Sequence, residues 1–174
     1  MKYLVKFFVV TFFLLICTHT FAEQKIVVLD LKFVLNNSKA GKGAQDFLKK
    51  TFDNNVKKFS DTEKALKEEE RDLLAKKNIL SKEEYGKKMN SLRKKNTDYQ
   101  KERRSAIDKI TMQRAKAREA LLKKIKPILQ SYIEENSVSL VVDKKYTLGG
   151  DTESDITKVI VEKLNKDLPS LNLK

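Results

Sequence analysis

From Ala44 to Asn136 the chain runs 93 residues with one glycine, Gly86, and one proline, Pro127, against a background rich in Lys, Glu, Arg, Leu and Ala. Compact folds need turns, and turns draw heavily on glycine and proline. A stretch with so few breakers is built as long helices. Its apolar residues lie in stripes. Steps of four and three from Phe52 pass through Val56, Phe59, Glu63, Leu66, Glu70, Leu73, Lys77 and Leu80, and six of these nine positions are apolar. The same steps from Tyr85 reach Met89, Leu92, Asn96, Tyr99, Arg103, Ala106, Ile110, Gln113, Ala117, Ala120 and Lys124, with eight of twelve apolar. This is a loose coiled-coil repeat, whose narrow seam requires a partner.

The two stripes meet at Asn78-Ile79-Leu80-Ser81, and Ser81-Lys82-Glu83-Glu84 has the spacing of a capping box. A helix over about 40–79, a tight turn near 79–82 and a second helix over about 82–136 then form an antiparallel hairpin, an arm of roughly 55–65 Å at 1.5 Å per residue. The competing arrangement is one unbroken helix, which has to dimerise to cover its seam. Pro127 interrupts the second helix's hydrogen bonding, and there the stripe slips to Leu121, Ile125, Ile128 and Tyr132. That places the bend of the arm into a body.

The first 22 residues read as a cleaved secretory signal: Lys2 and Lys6, an apolar run from Phe7 to Cys17, and Thr20-Phe21-Ala22 before Glu23. The run is shorter than the roughly 20 residues of a membrane span. Ile16 is too bulky for a lipoprotein reading of Cys17. Cleavage removes the only Cys and the only His, His19, so thiol and imidazole chemistry, Cys/His zinc sites and disulfides are excluded from the product. Its charge is +11, from 35 basic and 24 acidic residues. No cofactor, metal or catalytic residue is expected. Gly41-Lys42-Gly43 lacks the spacing of a nucleotide-phosphate loop. Asp30 and Asp143 each follow a strand and could meet as a carboxylate pair, although strand-ending Asp is more often a turn former.

The remainder is a small, β-rich body in two pieces, 23–45 and 125–167, around an arm at 46–124 and before a tail at 168–174. Ile26-Val27-Val28-Leu29 is uniformly apolar, as suits a strand covered on both faces. A short helical turn at Leu31–Leu35 follows. Val138–Val142 is a second strand, Asp143-Lys144-Lys145 its turn, and Tyr146-Thr147-Leu148 a candidate third strand within 138–148. Asp155 opens a last helix over 155–166 with Ile156, Val159, Ile160 and Leu164 inward. So small a body leaves sheet surface uncovered. Association of copies is expected, with Ile26, Val28, Leu140 and Val142 as the oligomer core.

In this order the strand Lys25–Asp30, the segment Phe33-Val-Leu-Asn-Asn-Ser-Lys-Ala-Gly-Lys42, the charged hairpin, Leu140-Val-Val-Asp143 and Asp155-Ile-Thr157 resemble the periplasmic Skp/OmpH chaperone family over residues 24–166. The resemblance implies an α+β fold: a long antiparallel coiled-coil hairpin on a small body that assembles as a homotrimer through a β-barrel. Three arms then enclose a cavity for unfolded outer-membrane β-barrel proteins, in the periplasm of a Gram-negative-type bacterium.

The outer arm, residues 76–104, carries Lys76, Lys77, Lys82, Lys87, Lys88, Arg93, Lys94, Lys95, Lys101, Arg103 and Arg104 against Glu83, Glu84, Asp98 and Glu102, net +7. These eleven form the expected surface for clients and anions, with anionic lipid or lipopolysaccharide as further partners and salt weakening the attraction. Loose seams at Glu63, Glu70, Asn96 and Arg103 let the arm flex around clients without ATP. Two alternatives stand beside the holdase. One is a passive envelope spacer. The other is a non-specific binder of anionic polymers, which a pI near 9.7 favours but export away from nucleic acid opposes.

Overall fold

The computed structural model describes residues 24–173, so the proposed signal lies outside the described residues. Strand β1 (Lys25–Leu29) leads into helix α1 (Leu31–Asn37), then α2 (Lys39–Ala75), α3 (Lys82–Glu135), strand β2 (Val138–Asp143) and α4 (Thr157–Asp167), with 3-10 turns at Lys144–Tyr146 and Thr152–Ser154. The hairpin is present: α2 packs along α3, and α3 starts within one residue of its cap-based position. α2 ends at Ala75, four residues earlier than expected, because Lys76–Leu80 form the turn between the helices.

The break between α1 and α2 is sharp and chemically specified. Asp30 accepts from the Phe33 N–H at 2.7 Å to open α1. Ser38 is fully buried and closes α1 through its N–H to the Val34 carbonyl. Its hydroxyl then accepts from the Gly41 N–H to open α2, the N-cap role that Ser fills well. Ala40 and Gly41 let the two helices touch. A Cβ at Gly41 would stand 1.9 Å from the Leu35 carbonyl oxygen, so only glycine fits.

β1 and β2 are parallel neighbours, pairing Ile26 with Leu140, Val27 with Val141, Val28 with Val142 and Leu29 with Asp143. Parallel neighbours need a long crossover, and here the whole arm is that crossover. One face of the sheet carries Val27 and Leu29 onto a core of Val34, Ala40, Leu121, Ile125, Ile128, Val138, Ile156, Ile160 and Leu164. Complete burial of Ile160 and Leu164 stabilises the body by about 1.5–3 kcal/mol each.

Several expectations of the body are corrected. It is not β-rich: among the described residues the sheet has two strands, and four helices supply most of the core. Tyr146–Leu148 is no third strand, since Lys144–Tyr146 turns as a 3-10 helix and leaves Tyr146 and Leu148 exposed. Asp155 takes the place beside β1 instead, bridging to Val28 while the Ile156 N–H donates to the Val28 carbonyl. α4 accordingly begins two residues later than expected, although the Asp155 carboxylate still accepts from the Thr157 N–H at 2.9 Å. Within one chain the sheet is covered on one face only: Ile26 is 48% and Leu140 53% exposed, with Val28 and Val142 half-buried. The tail is not separate, because Leu168 and Leu171 pack against the core.

Candidate functional surface of the arm

The outer half of the hairpin is zipped. Phe59, Leu66, Leu73, Leu92 and Tyr99 form one buried cluster, closed by Leu80, Tyr85, Met89 and Ala106. The Phe59 and Tyr99 rings meet edge to face at 6.0 Å, a favoured aromatic geometry. The seam residue Glu63 is not idle: it accepts from the Tyr99 hydroxyl at 3.4 Å and from Lys67 at 2.7 Å. The Lys67 bond holds the Glu63 carboxyl below its ordinary value. Lys58–Glu102 (3.0 Å) and Lys95–Glu69 (2.7 Å) cross between the helices. Being exposed, each is worth about 0–1 kcal/mol, so they mark register more than they hold the arm.

Near the body the stripe departs from its expected course. Phe52 and Val56 lie half exposed, at 52% and 50%. The buried line of α2 instead runs Ala44, Leu48, Thr51, Asn55, Phe59, with Thr51 and Asn55 partly buried. Over α2 the buried line has moved by one position, from 52 and 56 to 51 and 55. Phe47, Ile107 and Met112 are exposed on the same half of the arm. Isolated apolar residues on a surface are ordinary; five on one half of a hairpin make a concentrated feature.

Charge is distributed just as unevenly. All eleven predicted basic residues of 76–104 are exposed. Lys95 is held by Glu69 and Lys87 by Glu83 at 2.7 Å, while among the described residues the other nine form no ion pair within 4.0 Å. Their net +7 is diluted, however, by the helix packed against them, where Asp61, Glu63, Glu68, Glu69, Glu70 and Asp72 outnumber Lys64, Lys67 and Arg71. The outer half of the arm, residues 61–104, thus holds 14 basic and 10 acidic residues, net +4. The base half, residues 39–60 and 105–126, holds 13 basic and 4 acidic residues, net +9 in an equal number of positions. The strongest field lies where apolar side chains are exposed. Sequence reading along one helix missed it. Adding the charges of both helices reveals it.

Where the arm base meets the body, α1, α2, α3 and the turn after β2 enclose an open groove of about 1140 Å³. Ala44, Leu48, Phe52, Ile110, Ala117 and Leu121 make its apolar part, and Arg114, Arg118, Lys49 and Lys145 are among its cations. Asp30 and Asp143 both line it but act in local structure: Asp30 caps α1, and Asp143 accepts from the Lys145 N–H at 3.1 Å. Lys144 is paired with Asp155 at 2.7 Å. Burial tends to raise the Asp155 pKa, but the hydrogen bonds from Lys144 and Thr157 outweigh it and bring it down to about 2.

The arrangement of arm and body is shared with known proteins. A crystal structure from Caulobacter crescentus, designated a candidate OmpH-like outer membrane chaperone, superposes with a TM-score of 0.79 at 19% identity, covering 89% of this chain and 92% of that one. At that identity the likeness shows the fold. No curated protein matches the chain. The sequence profile of the outer membrane protein (OmpH-like) family matches residues 25–164, the span from the first strand to the last helix. With four-fifths of its length matched by that profile, the chain belongs to the OmpH-like family.

Proposed function

We propose that this chain is an ATP-independent holdase of the periplasm, which keeps unfolded outer-membrane β-barrel proteins from aggregating between the arms of a homotrimer. The observation that carries the reading is the base of the arm, where Phe47, Phe52, Val56, Ile107 and Met112 lie exposed in a segment of net charge +9. Exposed apolar side chains on a rigid helix grip unfolded chain through many weak contacts. The surrounding cations attract acidic clients and speed encounter. A surface of that kind releases its client without nucleotide energy.

The uncovered outer face of the sheet supports the trimer. Ile26, Val28, Leu140 and Val142 form a continuous apolar strip on it, and a second copy is the partner that matches such a strip. Membership in the OmpH-like family supports the same reading. The test is dilution of a urea-denatured outer-membrane β-barrel protein into buffer with or without residues 23–174, followed by light scattering at low and high salt. The expected result is suppressed scattering at low salt, weakening as salt rises. Unchanged scattering at every salt concentration rejects the holdase and leaves the passive spacer.

A further inference from the structure

We infer that the groove at the arm base is the client-gripping subsite, and that it selects extended polypeptide segments in which carboxylates neighbour aromatic or aliphatic side chains. The inference rests on the holdase reading and adds to it both a place and a ligand chemistry.

The place follows from what is left unsatisfied. Lys144 and Lys145 on the groove wall have their own carboxylates, Asp155 and Asp143. Among the described residues, the other lining cations, Lys32, Lys49, Arg114 and Arg118, have no carboxylate within 4.0 Å, and Asp46 is the only lining acid without a structural role. The wall therefore presents uncompensated positive charge. Beneath it, Leu48 and Ile110 are buried side chains whose surface ends in the half-exposed ring of Phe52. At about 1140 Å³ the space exceeds most clefts for small ligands and accommodates side chains from several residues at once.

The ligand chemistry follows from those groups. Guanidinium forks such as Arg114 and Arg118 pair with carboxylates in a directed, bidentate way that lysine does not match. An apolar floor rewards aromatic and aliphatic groups beside those carboxylates. The outer arm is the weaker match: its seam is closed and its net charge is +4 against +9 at the base, although Leu74 and Ile79 are exposed there. Selection therefore occurs at the base, not at the tip near Ile79.

The test uses the complete chain from residue 23 and two labelled, unstructured peptides of equal length and aromatic content, one bearing Asp and Glu, the other Lys and Arg. Binding is read by fluorescence anisotropy. The wild-type chain should favour the acidic peptide. R114Q/R118Q should weaken that peptide about tenfold and bind the basic one within about twofold of wild type. F52S should weaken the acidic peptide as well, whereas K76Q/K77Q and I79S at the tip should not. All six substituted residues are exposed, and circular dichroism checks that helicity is retained. Equal binding of the two peptides, or losses at the tip and none at the base, overturns the inference. Suppressed aggregation without peptide selectivity overturns the subsite alone. Peptide selectivity without suppressed aggregation overturns the holdase reading and leaves the groove's preference standing.

Discussion

Gly41 sits where two helices of very different length are joined by a single residue, and its missing side chain is what lets them meet. Adding one methyl group there drives a Cβ to 1.9 Å from the Leu35 carbonyl oxygen, part of the backbone that cannot turn away like a side chain. Gly41→Ala should therefore cost about 1–3 kcal/mol through forced displacement of α1. Urea denaturation should show a lowered midpoint, while Gly43→Ala, where nothing lies within 4 Å, should not lower it. Ser38-x-Ala40-Gly41 was visible in the sequence as part of the segment that carries the family resemblance. Its purpose was not, because the clash that forbids a side chain involves a carbonyl six residues away on another helix.

Among the elements, the ends of α3 and α4 are tied down differently. The Ser81 box is local: Ser81 Oγ accepts from the Glu84 N–H at 3.2 Å, and the Ser81 N–H donates back to Glu84 at 3.3 Å. Four consecutive residues specify it, so it was legible in full. Asp155 is assembled from distant parts, joining Lys144 after β2 to Thr157 at the start of α4. Its folded pKa of about 2 lies below its unconstrained value of 3.8, so its contribution to stability is complete above that value and is lost as pH falls through 2. Between pH 5 and pH 2 the thermal midpoint should fall less in Asp155→Asn than in wild type, and the variant should be the less stable of the two at pH 5. An equal acid slope in both would show that Asp155 does not carry the linkage. The hairpin's seam falls between these cases. Its outer part, from Phe59 to Tyr99, follows the repeat read from sequence, whereas Phe52 and Val56 leave it as the buried line of α2 moves to Thr51 and Asn55.

Taken as a whole, the molecule separates its tasks by charge and by surface. The arm carries 27 basic and 14 acidic residues over 39–126, net +13, while the rest of the chain from residue 23 is net −2. The body exposes apolar side chains on the outer sheet face and in the turn after β2, and the arm exposes them near the base and, at Leu74 and Ile79, toward the tip. If the outer face is the contact between copies, Leu140→Asp should convert a trimer to a monomer in sedimentation experiments. The arm should remain helical by circular dichroism, since the arm's buried cluster does not include Leu140. A mass unchanged by Leu140→Asp would place the contact elsewhere.

The long helices, the Ser81 cap and the order of the elements were readable along the chain, because backbone hydrogen bonding and apolar periodicity act between residues a few positions apart. Which apolar residues stay in water, how far one helix's lysines are offset by the other's glutamates, and where a methyl group cannot fit came only from the folded chain. Each of these depends on surfaces brought together across the hairpin or between the arm and the body, and distance in space is not encoded in distance along the chain.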